Sequence, residues 1–335
     1  RGSRDGFVET LVSNAALLRR RIRDPRFSME LYGVGRRSRS DVAICYISDS
    51  VDQSVLNRMR KLIQSIDVDA LTMNIESLAE CMFTHKWINP FPKFKYSERP
   101  DTATAAILDG NIVIMVDNSP AVMIIPASIF DIIEEADDFN FSPMIGSYLR
   151  ITRFFFSIVT WILTPLWLLF VNNPDWVPEF MKFVLITDDI TVPVLLQLLI
   201  LELAVDGLKL AAVNTPTMLS TPLSIVAGIV VGEYAVSSGW FNPEALLYMA
   251  VVTVGTYGQT NFEMGYAFKF LRVLTLILTQ IFNLGGFIAG VVISVLMIAF
   301  NRTITGKSYI YPLIPWDGKM LKRKVLRVRL PHSYK

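Results

Sequence analysis

Hydrophobic positions follow two different spacings along this chain. In the first part, short apolar runs of strand length are separated by stretches with helical periodicity. "DVAICYI", Asp41 to Ile47, is rich in β-forming residues and predicts a strand. In the following "SVDQSVLNRMRKLIQSI", Val55, Met59, Leu62, Ile63 and Ile66 recur every three or four residues, which predicts a helix with one buried face. "NIVIMV" and "AVMIIP" flank "DNSP", two strands joined by a turn. "PDTATAAILDG" before them reads as a short helix, with Asp101 placed to cap it and Gly110 to stop it. "GVG", Gly33 to Gly35, lacks the strand before it and the helix after it that a dinucleotide loop needs, and reads as a turn.

Beyond Arg153 the apolar runs lengthen. Phe154 to Val171 and Ala245 to Phe262 are uncharged over 18 residues and Val273 to Asn301 over 29. At about 1.5 Å per residue each is long enough for most of a hydrocarbon core of about 30 Å. The last exceeds one upright span and is expected to tilt, protrude or bend near Gly285 and Gly286. Leu219 to Ser237 carries one acid, Glu233, near its end. A fifth stretch, Ile190 to Val213, is apolar except for Glu202, Asp206 and Lys209. On a helix these three lie within about 60° of one another, forming one polar stripe.

Charge orients the pattern. Arg150 and Arg153 precede the first span, and "DGKMLKRKVLRVRLPHSYK" after the last is strongly basic, so both flanks are expected on the cytoplasmic side. An even number of crossings follows. The chain is therefore expected to be an α/β soluble amino-terminal domain (1–149), an α-helical multi-pass membrane domain (150–301) and a basic cytoplasmic tail (302–335). The membrane domain has about four spans plus one amphipathic or re-entrant helix, the one carrying the stripe. The acidic "NNPDWVPEFMKFVLITDD" suits the outer face, where this arrangement also puts Lys269 and Arg272.

Composition agrees: 52% of the 335 residues are hydrophobic, against about 45–50% apolar in soluble domains. Cys45 and Cys81 are far apart, with His85 and His332 as the only imidazoles. That is no zinc site or disulfide framework, and it fits a reducing compartment. His85 reads as structural. The amino terminus has no signal-peptide pattern, and without an initiator Met the chain is expected to lack an upstream piece. No nucleophile elbow, zincin or phosphate-loop motif nominates an enzyme; no cofactor, metal or nucleic-acid partner is expected. Arg19, Arg20, Arg21 and Arg23 in "LLRRRIRDP" read as a solvated helix face, or as contacts to lipid phosphates or a partner subunit.

The remaining candidates lie in the apolar part. Ser224, Gly228 and Gly232 recur every four residues, a small-residue ridge for close helix packing; Gly286 and Gly290 are further packing positions. Glu233 must face water, headgroups or a partner, because a carboxylate in hydrocarbon costs about 2.5–3.5 kcal/mol. Asp206 and Lys209, three apart, are placed to pair, and Glu202 and Asp206, four apart, repel. One lysine leaves a surplus of negative charge, which repeated around a ring of subunits favours cations. The stripe thus lines a pore or vestibule, or anchors an interfacial helix among headgroups.

"RGSRDGFVETLVSNAALLRRRIRDPRF", "VGRRSRSDVAICYI" and "YSERPDTATAAILDGNIVIMVDNSPAVMIIP" resemble the A subunits of the GerA family of bacterial spore germination proteins. Glu98, Arg99, Pro100 and Asp101 form the "ERPD" run, read as structural. The chain departs from the nutrient-receptor pattern at Leu219, Ser220 and Thr221 and at Asp206 and Gly207, which sets it toward a branch that amplifies ion release. The resemblance implies a further soluble subdomain before Arg1 and an integral protein of the spore inner membrane with both termini cytoplasmic. It also implies a homo-oligomeric ring in membrane lipid that conducts ions, here monovalent cations, with a second membrane protein of the germination apparatus as partner. A secondary transporter is the rival reading, although no internal repeat is found; a non-conducting scaffold that recruits germination partners is another.

Overall fold

The computed structural model describes residues 3–83, 89–214 and 228–328; His85 and Ser224 lie outside them. The chain divides into two compact units, Arg1–Ile151 with Ile298–Lys335, and Thr152–Met297.

The first unit is built on a five-stranded sheet of β1 (Phe27–Val34), β2 (Ser40–Ile47), β3 (Lys95–Ser97), β4 (Ile112–Val116) and β5 (Val122–Ile125), ordered β1-β2-β4-β5-β3. All neighbouring strands are antiparallel. Helices cover both faces. On one, α2 (Gln53–Gln64) and α3 (Ile75–Met82) pack their Leu56, Met59, Ile63, Ile75 and Leu78 against Val42, Ile44, Ile112 and Ile114. On the other, α1 (Leu11–Arg21) and α4 (Pro100–Leu108) pack Leu18, Ala103 and Ile107 against Ala43, Cys45, Val113 and Met115. Because successive side chains alternate between faces, a strand covered on both sides is apolar throughout. That is why the runs in β2 and β4 are unbroken.

Local chemistry fixes the ends of these elements. Asp52 caps α2, accepting from the Ser54 N–H at 3.0 Å. Asp101 does not cap α4 as expected: the N-cap position is Arg99, Pro100 occupies the first turn, and Asp101 follows it. Gly110 does stop the helix, with φ +87°, and a Cβ there would stand 2.7 Å from the Ser50 carbonyl oxygen. Gly35, φ +92°, lies in the turn between β1 and β2. The sequence reading had no strand at β1, whose "FSMELYGV" mixes polar and apolar positions.

The carboxyl-terminal stretch is not a separate tail over its described residues. Lys307 pairs with Asp52 at 2.7 Å, Lys93 donates to the Arg302 carbonyl at 2.7 Å, and the Ile129 N–H donates to the Tyr309 carbonyl at 3.0 Å. Its basic helix, α10 (Gly318–Val325), lies beside α5 (Ile129–Ile133), where Lys324 pairs with Asp131.

The second unit is helical. It holds most of α6 (Pro143–Asn172), then α7 (Val194–Asn214), α8 (Pro243–Tyr257) and most of α9 (Phe262–Ala299). Trp167, Leu198, Leu201, Ala245, Met249 and Leu276 form their common core. A buried amide pair joins α7 to the start of α8: Gln197 Nε2 donates to Asn242 Oδ1 at 2.7 Å, and the Asn242 N–H donates to Gln197 Oε1 at 2.8 Å.

Among the described residues two helices are long and apolar enough to cross a membrane, α6 and α9. The four expected spans are not confirmed among the described residues. Ala245 to Phe262 is not one helix: α8 is 15 residues, about 22 Å, and closes at Gly258 before α9 begins. Of Leu219 to Ser237, the first part, 219–227, lies outside the described residues, and the rest is a π-helical turn, Gly228–Tyr234, followed by a short helix, Ala235–Ser237. The helix that carries the last apolar run starts earlier, at Phe262, and reverses at Asn283 (φ 51°, ψ −129°), two residues before the expected bend. Gly286 then lies directly against the Leu278 carbonyl, and a Cβ on Gly290 would stand 2.9 Å from Thr275 Cα. The two legs of α9 thus form an antiparallel hairpin whose close approach requires glycine. At the turn, Asn173 and Asn283 exchange amide hydrogen bonds of 2.6 and 2.9 Å.

Candidate functional site

The stripe on α7 faces the first leg of α9. Arg272 Nε donates to Glu202 Oε1 at 2.5 Å, and its guanidinium also donates to the Thr160 carbonyl of α6. Lys269 pairs with Asp206, lies 3.5 Å from Glu202 Oε2, and donates to the Glu202 carbonyl at 3.1 Å. Glu202 and Arg272 are buried, with 6% and 3% of their side chains exposed. Ions so far from water persist only when paired and hydrogen-bonded. Here each acid meets a cation from the facing helix.

Lys209 is oriented differently. Its ammonium lies 5.2 Å from the ring centroid of Tyr257 and 5.5 Å from that of Tyr266, within cation–π range of both. The expected pairing of Asp206 with Lys209 is replaced by the pairing with Lys269. The expected surplus of negative charge is absent too: Lys209, Lys269 and Arg272 face Glu202 and Asp206. Lys269 and Arg272, which the expected topology puts toward the outer face, are the partners of the stripe. A signal for them was present, since they are three apart in an apolar stretch and share one helix face. Matching that face to the four-residue spacing of Glu202 and Asp206 predicts the pairing.

These five charged groups line a cavity of about 50 Å³ together with Thr256, Gln259, Phe262 and Gly265. That is room for a few waters. Gln259 Nε2 donates to Thr160 Oγ1 at 3.3 Å, while Gln259 Oε1 and Asp206 Oδ1 have no protein partner among the described residues.

The other candidates sit elsewhere. Glu233 is exposed and is not among the residues lining this cavity. Gly228 and Gly232 lie in a π-helical turn, and a Cβ on either would meet open space; within one chain this ridge packs against nothing described. Gly286 and Gly290 pack inside the α9 hairpin. Arg99 bridges Asp101, at 2.8 Å, and Asp137, and the Glu98 carbonyl accepts from the Phe7 N–H at 2.9 Å, so "ERPD" ties the start of α4 to two neighbouring loops. The guanidinium of Arg99 holds the Asp101 carboxyl below the usual carboxylate range. Arg19, Arg20 and Arg21 fall in the last turn of α1, where cations oppose the helix dipole. Arg20 and Arg21 pair with Asp5, Arg19 lies over the Phe27 ring at 5.7 Å, and Arg23 is exposed. No group of three or more metal-ligating side chains occurs among the described residues.

A family model described as "Bacillus/Clostridium GerA spore germination protein" matches residues 1–335. The chain belongs to the GerA family. Stage V sporulation protein AF (SpoVAF) of Bacillus subtilis is 38% identical over 331 residues, covering 99% of this chain and 67% of that protein. Spore germination protein GerLA of Bacillus cereus is 28% identical, covering 98% and 67%, and the membrane protein YfkQ of Bacillus subtilis 28%, covering 96% and 63%. The chain thus spans about two thirds of the length of these GerA relatives. Among solved structures, the N-terminal domain of the A subunit of the Bacillus megaterium germinant receptor GerK3 is 32% identical, with a TM-score of 0.29, covering 36% of this chain and 94% of that one. The higher identity to SpoVAF agrees with the departures from the nutrient-receptor pattern.

Proposed function

We propose that this chain is an integral protein of the spore inner membrane, that its copies assemble as a ring around an ion path, and that it promotes or amplifies ion release during germination. The observation that carries this reading is the cavity at Asp206 and Lys209, a water-sized polar chamber inside an apolar helical unit. Charges in such a setting face a partner or a hydrated path. Glu202 and Arg272 act as the fixed pair that holds α7 on α9. Asp206 and Lys209 line the chamber, where Asp206 Oδ1, unpartnered among the described residues, is the group left to meet a hydrated ion.

The open face of Gly228 and Gly232 supports assembly, as a surface against which a second copy or a small membrane partner packs. Both flanks of the helical unit belong to one compact body, which supports an even number of crossings and a shared, cytoplasmic side. Monovalent cations were expected from an unpaired acidic stripe; with three cations facing two acids, the sign of the permeant ion is set by measurement.

Reconstitution in liposomes tests the reading. Stepwise single-channel currents are expected, with the reversal potential in a salt gradient giving the ion's sign. Asp206→Asn, which removes a charge at the cavity while keeping size and hydrogen bonding, should change conductance or selectivity at unchanged oligomer size. Saturable coupled flux would make the protein a transporter, and silence with a correctly assembled oligomer would make it a scaffold.

A further inference from the structure

The first unit contains a second cavity, of about 280 Å³, between α4, α5 and α10. It is several times larger than the one on the membrane helices and stands near the lower edge of the roughly 300–1,000 Å³ of small-molecule sites. Ala105, Ala106, Ile124, Pro126 and Phe139 give it an apolar wall.

The charges around it are unevenly satisfied. Arg99 is held by Asp101 and Asp137, and Lys324 by Asp131 and, at 3.5 Å, Glu134. Lys95 donates to the carbonyls of Asp131 and Glu134 at 2.7 and 2.8 Å. Asp109 lines the same cavity with an exposed carboxyl, and neither it nor the Asn111 amide makes a side-chain hydrogen bond among the described residues. Glu134 is held by Arg150 as well, so of the carboxylates lining the cavity it is Asp109 that pairs with no cation among the described residues. Asp109 is therefore the acceptor left for a positive group beside an apolar wall. A bare metal ion does not suit it, because no metal-binding cluster is found among the described residues and the space is far larger than an ion.

We propose that this cavity binds a small alkylammonium compound, its ammonium on Asp109 and its hydrocarbon body against Ala105 and Phe139, and that occupancy is transmitted to the base of α6. The link is Arg150, a buried residue of α6. It donates to Glu134 at 2.5 Å, to Asp138 at 3.2 Å and to the Arg323 carbonyl at 3.0 Å, and lies 5.0 Å over the Phe139 ring. Glu134 and Phe139 are at once cavity wall and anchor for α6. This site is independent of the conduction reading and would stand if that reading failed.

The test uses the full chain in detergent, with n-butylamine and butyrate as probes of matched body and opposite charge, followed by saturation-transfer NMR. Butylamine should titrate to saturation and butyrate should give no response. Asp109→Asn should weaken butylamine about tenfold or more, as expected for losing one charge partner. Ala105→Trp, at an exposed helix position, should abolish binding by filling the cavity. Amide hydrogen exchange across Pro143–Ile151 should slow on saturation. Absence of a butylamine response, an equal response to butyrate, or binding unchanged in both variants would overturn the site. Unchanged exchange in α6 at saturation would overturn its link to the helix.

Discussion

Arg272 and Glu202 meet at 2.5 Å with almost none of either side chain exposed, joining α9 to α7 through a pair buried among apolar helices. Removing one partner leaves a buried charge alone, which costs about 3–5 kcal/mol, whereas replacing both by apolar residues of similar volume is often neutral. Arg272→Met should therefore lower the thermal unfolding midpoint of the detergent-solubilised protein sharply, and Arg272→Met with Glu202→Leu should recover most of the loss. A double variant as unstable as the single one would show that Arg272 matters through its bond to the Thr160 carbonyl and not through Glu202.

Gly286 and Gly290 are packed within the chain, whereas Gly228 and Gly232, the ridge of the proposed assembly, face open space. Gly290→Leu adds bulk where even a Cβ is 2.9 Å from Thr275 Cα, so it should force the α9 hairpin open, with overpacking typically costing about 1–3 kcal/mol or more. Gly228→Leu and Gly232→Leu add it into open space. The fold should survive in these two while the oligomer dissociates, as read by light scattering in detergent. Unchanged particle size in both would remove the small-residue ridge from the assembly.

The residues that were legible in the sequence are those whose environment is set by their own segment. β2 and β4 were visible because burial on both faces makes a strand uniformly apolar, and α2 because its buried Val55, Met59 and Ile63 recur on one face. β1 was hidden because Glu30 and Tyr32 on it form a polar network with Arg60 of α2, a partner thirty residues away. The stripe on α7 was legible as a feature and misread as a surplus of charge, since its neutralising cations come from α9, 63 and 70 positions along the chain. The reversal at Asn283 was sensed through the excess length of the last apolar run. Its sharpness was not, because the left-handed conformation falls on asparagine while the neighbouring glycines serve the packing.

The network at Glu30 gives a pH dependence of defined sign. The Arg60 guanidinium, with the Tyr46 and Tyr32 hydroxyls, holds the Glu30 carboxyl down to about 2 from its ordinary 4.5. A depressed carboxylate stabilises the fold above its unfolded pKa, and that contribution is lost as pH falls from about 4.5 toward about 2. With a quarter of the Glu30 side chain exposed, solvent screening limits it to about 1–2 kcal/mol. Glu30→Gln should therefore be less stable than wild type at pH 7, and the difference should shrink through that acid window. A difference independent of pH would assign the loss to packing instead of charge.

The chain enters and leaves the helical unit from one compact body. It departs from the first unit near Ile151 and returns to it near Ile298, and the returning stretch is bound there by Lys307 to Asp52 and Lys324 to Asp131. A single folded body cannot hold both flanks unless the helical unit crosses an even number of times. On the proposed topology the segment between α6 and α7, with four acids and one lysine, lies on the side opposite the lysines and arginines of the flanks. On a background lacking Cys45 and Cys81, Glu9→Cys and Lys319→Cys should react with a membrane-impermeant thiol reagent only after the membrane is opened. Glu179→Cys, exposed between the helices, should react in intact cells. Labelling of Lys319→Cys from outside, with Glu9→Cys protected, would mean an odd number of crossings, and the carboxyl-terminal helix could not then occupy its place beside α5.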